Sequence, residues 1–345
     1  MRAFRLVAWQ KPAELREVPV PEPGPGEVLI RIGGAGACHS DLHIMEEPGP
    51  EDGTGLPLTL GHENAGWVEA TGPGASGVAV GDPVIVYGPW GCGVCANCRQ
   101  GQDNYCLETN GVGGGLAEYD GGMADCLLVP STRFLIPLGD LAPRDAAPLS
   151  DAGLTSYHAV KRSLHLLGPG STAVVIGAGG LGQMAIQILR ALSAATTVIA
   201  VDTAADKLET AKRMGADEAL TSDGETVERI RDMTRGQGAE LVLDMVGVDP
   251  TLRMAAQVAR VLGDLTLVGL GGGALPVNFL SPPHECSVTA PYWGSLTELM
   301  EVVTLARQNK IELLVEHFPL DRAAEAYRLL HDGRIKGRAV ITPQT

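Results

Sequence analysis

In the first part of the chain, hydrophobic residues occur in short runs that glycine and proline interrupt. Up to about Pro137, such runs cover residues 28–32, 66–70, 84–87 and 126–129. Short apolar runs bounded by turn-forming residues are typical of β-strands. This part of the sequence is therefore predicted to be rich in β-strands and tight turns.

The pattern changes at about Asp145, where apolar runs begin to alternate with segments of helical periodicity. Strands are predicted at residues 173–176, 198–201, 241–243 and 265–268, and helices at 181–192, 205–214, 226–233 and 251–261. Strands and helices that alternate at this spacing predict a parallel sheet with helices on both faces. Beyond about Gly294, further elements are predicted: helices at 297–307 and 323–331, and a last strand at 338–341.

Length and composition favour a globular protein of two domains. The chain has 345 residues, of which 45% are hydrophobic, enough to fill two cores at about 150 residues per domain. The formal charge of −15, from 26 basic and 41 acidic residues, argues against binding to a nucleic-acid backbone. The sequence has no apolar run long enough for a membrane span, and its N-terminus lacks the apolar core of a signal peptide. A soluble, cytoplasmic protein is expected.

A glycine-rich loop follows the predicted strand at 173–176 and opens the next predicted helix. Gly177, Gly179 and Gly182 fit the spacing G-x-G-x-x-G, with Gly180 and Leu181 between them. In dinucleotide-binding folds the first glycine permits a tight turn, the second lets a pyrophosphate approach the backbone, and the third lets helix and strand pack closely. The helix N-terminus adds free amides and a positive dipole for the phosphates.

Asp202 supports a coenzyme-binding role for this loop. It ends the next predicted strand, 20 residues after Gly182, where a carboxylate can accept hydrogen bonds from both hydroxyls of an adenosine ribose. A carboxylate there repels a 2′-phosphate, and no arginine follows it directly. The sequence therefore favours NAD over NADP; the alternative is a solvated loop carboxylate.

Four of the seven cysteines lie within 15 residues, at Cys92, Cys95, Cys98 and Cys106. Four thiolates around one tetrahedral ion make a closed site with no position for substrate, which is typical of structural zinc. Such close spacing fits metal binding in a reducing compartment better than disulfides. A redox dithiol is disfavoured because the C-x-x-C motif does not open a helix.

Three further potential ligands, Cys38, His62 and Asp151, are too far apart for spacing alone to assemble them. The order of the motifs is more specific. Residues 38–43 read CHSDLH and 61–63 read GHE, and the four-cysteine lobe and the glycine loop follow. This order resembles the zinc-dependent medium-chain alcohol dehydrogenases over nearly the whole chain. Within that family, 87–92 and 291–294 are similar to bacterial NAD-dependent secondary-alcohol dehydrogenases and aryl carbonyl reductases.

The resemblance implies an α/β protein in which a GroES-like, β-rich catalytic domain surrounds a Rossmann domain with a doubly wound parallel sheet. The catalytic domain is expected at residues 1–152 and 294–345, with the structural zinc lobe at about 90–107. The NAD-binding domain is expected at 153–293. The family also suggests a homodimer or homotetramer, with the last strand of the coenzyme domain at the interface.

The resemblance further implies that Cys38, His62 and Asp151 hold a catalytic zinc ion, with Glu63 as an intermittent ligand or close neighbour. Many family members have cysteine in place of Asp151. A carboxylate keeps the formal charge of the site but donates less charge to zinc than a thiolate, so a somewhat stronger Lewis acid is expected. Asp41 is expected to orient the imidazole of His62, as carboxylates commonly do for zinc-bound histidines.

For the reaction, the resemblance implies a proton relay from the hydroxyl of Ser40 through the nicotinamide ribose to His43 and solvent. A hydroxyl can donate and accept at once, and histidine titrates near neutral pH. His43 could instead be a wall of the substrate pocket. Other residues match coenzyme contacts, although the charged ones could be ordinary surface charges: His39 and Arg338 at the pyrophosphate, Lys207 at the adenosine ribose, and Thr155 at the nicotinamide.

Tyr292 and Trp293 form an adjacent aromatic pair in a chain that is only 4% aromatic. They follow an apolar run and are expected to wall the substrate pocket, although packing against the hinge is an equally good interpretation. A bulky apolar pocket favours medium-chain or aryl alcohols and ketones over ethanol. A single wall residue changes such discrimination by only about 1–3 kcal/mol.

These features predict an enzyme that transfers hydride between a secondary, aryl or medium-chain alcohol and C4 of NAD, with one catalytic and one structural zinc per subunit. Zinc with three protein ligands leaves a fourth position for the substrate oxygen. Two other interpretations stay open. A zinc-free quinone or enoyl reductase of the same superfamily has no need of Cys38 or His62, and a zinc-finger-like binding protein is disfavoured by the acidity of the chain.

Overall fold

The computed structural model describes residues 1–50, 54–108, 111–113 and 119–343. The chain forms two compact units: the first is Met1–Asp151, Ser295–Arg307 and Leu313–Thr345, and the second is Ala152–Gly294 and Gln308–Glu312. The short segment 308–312 groups with the second unit, although the sequence places it in the catalytic domain. The reason is local: the amide of Glu312 donates to Oε1 of Gln187 at 2.6 Å, and its carboxylate pairs with Arg213 at 2.5 Å.

Sixteen strands and ten α-helices make up the regular structure of the described residues. The strands are β1 (Arg2–Leu6), β2 (Glu14–Glu17), β3 (Val28–Gly36), β4 (Leu58–Thr59), β5 (Glu63–Thr71), β6 (Pro83–Val86), β7 (Cys126–Val129), β8 (Leu135–Pro137), β9 (Thr172–Ile176), β10 (Thr197–Asp202), β11 (Glu218–Thr221), β12 (Ala239–Asp244), β13 (Ala259–Leu267), β14 (Ser287–Thr289), β15 (Val315–Pro319) and β16 (Arg338–Thr342). The helices are α1 (His39–Glu46), α2 (Ala96–Arg99), α3 (Pro143–Ala146), α4 (Ala152–Arg162), α5 (Gly180–Leu192), α6 (Ala205–Arg213), α7 (Thr226–Met233), α8 (Asp249–Val258), α9 (Leu296–Arg307) and α10 (Ala323–His331).

The first unit is built on two sheets. The smaller has the strand order β2-β1-β4, and the larger has β15-β16-β3-β5-β6-β8, with β7 also paired to β3. The long strands β3 and β5 run antiparallel, and the end of β3 lies against the start of β5, where Gly36 pairs with Glu63. Cys38 follows β3 and His62 precedes β5, so this pairing brings two distant motifs together. The predicted β-rich character of this region is confirmed.

The second unit contains a parallel sheet with the strand order β11-β10-β9-β12-β13-β14. Its core is formed by buried aliphatic side chains of these strands, such as Val174, Val201 and Val242. From β9 the chain moves outward to β10 and β11 and then returns to β12 on the other side. This reversal beside β9 is the topological switch point at which doubly wound sheets bind ligands. The predicted fold class is therefore confirmed.

Several predicted elements coincide with the observed ones, including helices α7 and α10 and strand β7. The helix predicted at 251–261 is wrong at its end, because Ala259 leaves the helix to pair with Ala239 of β12. Helices α1, α2, α3 and α4 were not predicted; α1 begins with His-Ser-Asp and lacks an apolar stripe. The expectation that the C-x-x-C motif opens no helix is wrong, because Cys95 is the N-cap of the short helix α2. Among the described residues, no helix has both the length and the apolar character needed to cross a membrane.

Candidate metal centres and coenzyme loop

A buried group of metal-binding side chains lies in the first unit, at the end of β3 and the start of β5. It consists of Cys38, His62, Glu63 and Asp151, each offering one donor atom within 4.8 Å of the others. Cys38 comes directly before α1, Glu63 begins β5, and Asp151 follows a short turn at 147–150. Chain segments that are distant in sequence thus converge on one point.

The spacing of the donor atoms fits a tetrahedral zinc ion. The Sγ atom of Cys38 lies 3.9 Å from Oδ2 of Asp151, and Nε2 of His62 lies 3.6 Å from the same oxygen. Ligands about 2.0–2.3 Å from a tetrahedral zinc ion are about 3.3–3.8 Å from each other. One thiolate, one imidazole and one carboxylate therefore lie nearly at the separations that a shared zinc ion requires. We call Cys38, His62, Glu63 and Asp151 the buried centre.

Asp41 is the partner of His62. Its Oδ1 atom lies 3.2 Å from Nδ1 of His62, and its side chain is fully buried. Its Oδ2 atom accepts hydrogen bonds from the amide of Cys38 at 2.9 Å and from the hydroxyl of Tyr327 at 2.8 Å. A carboxylate at Nδ1 favours the tautomer in which Nε2 is free to bind metal. Tyr327 belongs to α10, and its role gave no signal in the sequence.

Glu63 and Arg338 form a buried ion pair beside the buried centre. Nε of Arg338 donates to Oε2 of Glu63 at 3.0 Å, and Nη2 of Arg338 donates to Oε1. Nη2 also lies 3.7 Å from Oδ2 of Asp151. Burial lowers the pKa of Arg338, but the surrounding anions, chiefly Cys38 and Glu63, raise it well above its usual value. The guanidinium therefore stays charged and holds both oxygens of Glu63. From the sequence, this side chain is expected at the coenzyme pyrophosphate.

Ser40, His39 and His43 all lie on α1, directly after Cys38. Ser40 is half-buried, and its Oγ atom lies 3.4 Å from Nε2 of His62. His39 and His43 are exposed. The structure thus brings Ser40 to Nε2 of His62, while the two histidines lie on the surface of the unit.

The four-cysteine lobe forms a second group, at Cys92, Cys95, Cys98 and Cys106. Its Sγ atoms lie 4.0 Å apart between Cys92 and Cys98, and 3.9 Å apart between Cys95 and Cys106. About 3.8 Å is expected between two thiolates on tetrahedral zinc. All four sulfurs can therefore reach one ion, and four ligands complete a tetrahedral zinc site.

Backbone amides of the lobe point at its sulfur atoms. The amide of Cys92 donates to Sγ of Cys106 at 3.4 Å, and that of Cys95 donates to Sγ of Cys92 at 3.3 Å. The amide of Cys98 lowers the pKa of the Cys95 thiol, whereas burial raises the pKa of Cys98. Beneath the lobe, Arg133 pairs with Asp103 and donates to the carbonyl of Gly91 at 3.3 Å. This supporting pair was not predicted from the sequence.

In the second unit, the glycine loop joins β9 to α5 at the switch point. Gly177 has φ +91, and a Cβ atom there would collide with the side chain of Val246. A Cβ atom on Gly182 would overlap the carbonyl oxygen of Gly177. Gly179 precedes the first helical residue, so the amides of Gly180 and Leu181 lie in the first turn of α5. The loop therefore has the geometry that phosphate-binding loops require.

Asp202 ends β10 beside this loop. Its Oδ2 atom accepts the amide of Ala178 at 2.7 Å, and its Oδ1 atom accepts the amide of Ala204 at 3.0 Å. The carboxylate is half-buried, and its hydrogen bond to the amide of Ala178 places it next to the glycine loop. Lys207, half-buried on α6, follows within the next helical turn. Thr155 is buried on α4 of the same unit.

Asp244, at the end of β12, was not singled out from the sequence. Its Oδ1 atom accepts the amides of Val246 and Gly247, both at 2.9 Å. Val246 in turn packs against Gly177. Asp244 therefore fixes the turn that covers the glycine loop. Its only signal in the sequence is its place at the end of a predicted strand.

The aromatic pair Tyr292 and Trp293 also lies in the second unit. Tyr292 is 54% exposed and Trp293 is buried, and their ring centroids are 5.5 Å apart in an edge-to-face arrangement. The two residues, adjacent in sequence, therefore contact each other through their rings.

The fold and the two candidate metal centres indicate a zinc-binding dehydrogenase, and comparisons with known proteins give the same class. Residues 24–140 match the alcohol dehydrogenase GroES-like domain, and residues 180–308 match the zinc-binding dehydrogenase domain. The chain is 39% identical to an NAD-dependent alcohol dehydrogenase of Sulfurisphaera tokodaii, over 99% of this chain and 100% of the relative. It is 36% identical to a D-arabinose 1-dehydrogenase (NADP(+)) of Saccharolobus solfataricus, over 99% and 97%.

A solved structure gives the same result for the fold. The alcohol dehydrogenase of Aeropyrum pernix superimposes with a TM-score of 0.91 at 36% identity, over 99% of this chain and all of that one. The chain therefore belongs to the zinc-dependent medium-chain alcohol dehydrogenase family, as its motifs suggested.

Proposed function

We propose that the protein is an NAD-linked, zinc-dependent alcohol dehydrogenase that interconverts alcohols with ketones or aldehydes. The observation that carries this proposal is the convergence of Cys38, His62 and Asp151 at tetrahedral spacing in the buried centre. A zinc-free reductase has no use for such a set. We assign the metal chemistry to the first unit and coenzyme binding to the second, with one zinc at the buried centre and one in the lobe.

At the buried centre, zinc supplies a Lewis acid that lowers the pKa of an alcohol or polarises a carbonyl, and NAD supplies the hydride acceptor. The residues of the chain hold the metal and orient its ligands. Asp41 fixes the imidazole of His62, and Arg338 keeps Glu63 beside the ligands. Burial raises the pKa of the Glu63 carboxyl to about 7, and the guanidinium of Arg338 opposes that rise. Both oxygens of Glu63 are engaged by Arg338, which supports a neighbouring rather than a ligating role.

We assign the first proton transfer to Ser40 and the exit of the proton to His43. The Oγ atom of Ser40 lies 3.4 Å from Nε2 of His62, so it lies beside the point on which the ligands converge. His43 is three residues further along α1 and is exposed. Positions i and i+3 lie on the same side of a helix, which supports a path to solvent.

For the coenzyme we propose NAD, with the glycine loop at the pyrophosphate and Asp202 at the adenosine ribose. A half-buried carboxylate beside Ala178 disfavours a 2′-phosphate by charge. The D-arabinose relative named above carries NADP(+) in its name, so coenzyme choice differs within the family. We retain Thr155 and Lys207 as coenzyme contacts, and His39 as a pyrophosphate contact.

The proposed substrates are secondary, aryl or medium-chain alcohols and their carbonyl partners. The support is the aromatic pair Tyr292 and Trp293. The exposed ring of Tyr292 offers an apolar surface, and the buried ring of Trp293 contacts it. A sugar is the competing class, because one relative is a D-arabinose dehydrogenase.

We propose a homodimer or homotetramer assembled through the edge of the parallel sheet. β14 is an edge strand of that sheet, and the segment before it exposes Val277, Phe279 and Leu280 at 71%, 85% and 82%. Apolar side chains this exposed, in the segment that leads to an edge strand, favour burial by a second copy. The thiolate lobe requires reduced cysteines, which favours the cytoplasm.

The test is a panel of 1-phenylethanol, 2-butanol, ethanol and D-arabinose with NAD and NADP, read by NAD(P)H absorbance. We expect turnover of 1-phenylethanol with NAD, a weaker rate with NADP, and loss of activity after chelation that added zinc restores. Ser40→Ala is expected to lower turnover by about 10²–10⁴-fold while NADH still binds. Absence of NAD-linked turnover by zinc-loaded protein on every alcohol would contradict the proposal.

A further inference from the structure

The hydroxyl of Tyr327 reaches the buried centre from the far end of the chain. Tyr327 lies on α10, 286 residues after Asp41, and its O–H donates to Oδ2 of Asp41 at 2.8 Å. Asp41 is 0% exposed and Tyr327 3% exposed. A hydrogen bond between a buried hydroxyl and a buried carboxylate is strong and specific because no water competes for either group.

Asp41 uses its two oxygens for different tasks. Oδ2 accepts the amide of Cys38 at 2.9 Å and the hydroxyl of Tyr327, whereas Oδ1 lies 3.2 Å from Nδ1 of His62. Two donors on Oδ2 hold that oxygen in place and oppose rotation of the carboxylate. Oδ1 is therefore held against the imidazole, and Nε2 of His62 is held toward the other ligands.

We propose that Tyr327 is a positioning residue for the metal of the buried centre. Its hydroxyl fixes Asp41, and Asp41 fixes His62. The inference rests on the proposed function, because it requires a metal ion at Cys38, His62 and Asp151. The role of Tyr327 is exerted through Asp41 rather than by ligation.

Two neighbours of Tyr327 make this role separable from packing. Its ring stacks on Phe4 with centroids 5.8 Å apart, a contact that phenylalanine would keep. Its oxygen also lies 2.9 Å from the sulfur of Met123. A phenol has one proton, and a carboxylate is a far better acceptor than a thioether. Tyr327→Phe therefore removes the bond to Asp41, and Met123→Leu removes only the sulfur.

The first experiment measures zinc release from the full chain, loaded at both centres, to an excess of a chelating dye. The thiolate lobe serves as an internal reference within each sample. We expect Tyr327→Phe to speed release from the buried centre by about three- to tenfold, less than the 10–100-fold typical for loss of a direct partner of a ligand. Asp41→Asn is expected to reach that larger range. Met123→Leu should release zinc from the buried centre at the wild-type rate, and release from the lobe should be the same in every variant.

The second experiment replaces zinc at the buried centre with Co²⁺ and records its visible absorption, which reports ligand geometry and is read on the folded fraction alone. We expect a changed spectrum for Tyr327→Phe and an unchanged one for Met123→Leu. If Tyr327→Phe released zinc at the wild-type rate and gave the wild-type spectrum, the inference would be overturned. If Tyr327→Phe and Met123→Leu changed both readouts equally, it would be overturned in favour of packing. Failure of the wild type itself to hold metal at this centre would refute the proposed function first.

Discussion

The two candidate metal centres of the first unit are built in opposite ways. The lobe takes all four thiols from 15 consecutive residues, and the amides that stabilise them belong to the same loop. The buried centre takes its ligands from segments up to 113 residues apart and its supporting groups from α1, α10 and β16. A contiguous site needs little beyond its own loop, whereas a dispersed site needs the complete fold and a layer of charged partners.

The largest expected effect comes from removing a ligand of the buried centre. His62→Gln keeps much of the side-chain volume but replaces the imidazole. Loss of a Lewis acid worth several kcal/mol corresponds to a fall in turnover of about a thousandfold or more. One of the two proposed zinc ions should be lost while the lobe keeps its own, as measured by metal analysis and NAD-linked activity.

The matched control for this variant is His43→Gln, the same substitution on an exposed histidine of α1. It should keep both zinc ions, even if proton exit slows. Retention of full zinc and activity by His62→Gln would show that the buried centre does not hold the catalytic metal.

The next effect concerns the charge partner of the buried centre. Arg338→Met leaves Glu63 buried without a cation, because Arg338 engages both of its oxygens and both residues are at most 5% exposed. Breaking a buried ion pair by removing one partner typically costs about 3–5 kcal/mol. The free energy of unfolding of the first unit should fall by that order, as measured by urea denaturation.

The double variant Glu63→Gln/Arg338→Met tests the cause of this loss. Without the charge of Glu63, the anions left near the methionine are Cys38 and Asp151, which a bound zinc ion would neutralise, so most of the lost stability should return. A double variant as unstable as the single one would mean that Arg338 acts through packing alone.

Cys98→Ser is expected to have the opposite effect to His62→Gln, because it should lower stability and leave turnover nearly unchanged. Cys98 is the buried member of the lobe, and serine cannot replace its thiolate on zinc. We expect loss of the lobe zinc and a stability loss of about 2–4 kcal/mol, within the range for loss of a structural metal. Turnover per folded molecule should stay within about twofold, because the closed site has no substrate position.

The control is Cys126→Ser, a half-buried cysteine outside both centres, which should keep both zinc ions. A large fall in turnover of fully folded Cys98→Ser protein would remove the distinction between the two centres.

The same contrast explains what could be predicted from the sequence. The lobe and the glycine loop are each formed by one short stretch of chain. Spacing alone therefore predicted a metal-binding role for Cys92 and a turn-forming role for Gly177. Cys38 and Asp151 needed a family resemblance, because their proximity depends on how distant segments of the first unit fold together. Tyr327 and Asp244 gave no usable signal: one acts across 286 residues, and the other looks like any acidic residue at the end of a strand.

The smallest expected effect concerns the lobe's own ion pair. Arg133 pairs with Asp103 beneath the lobe, but its side chain is 40% exposed, whereas that of Arg338 is 6% exposed. A partly solvated pair contributes about 1 kcal/mol or less, because water screens it and ordering a long side chain opposes it. Arg133→Gln should therefore lower the free energy of unfolding by no more than that and leave both zinc ions in place. If its cost in urea denaturation equalled that of Arg338→Met, the lobe would depend on charged support as strongly as the buried centre, and the contrast between a contiguous and a dispersed site would not hold.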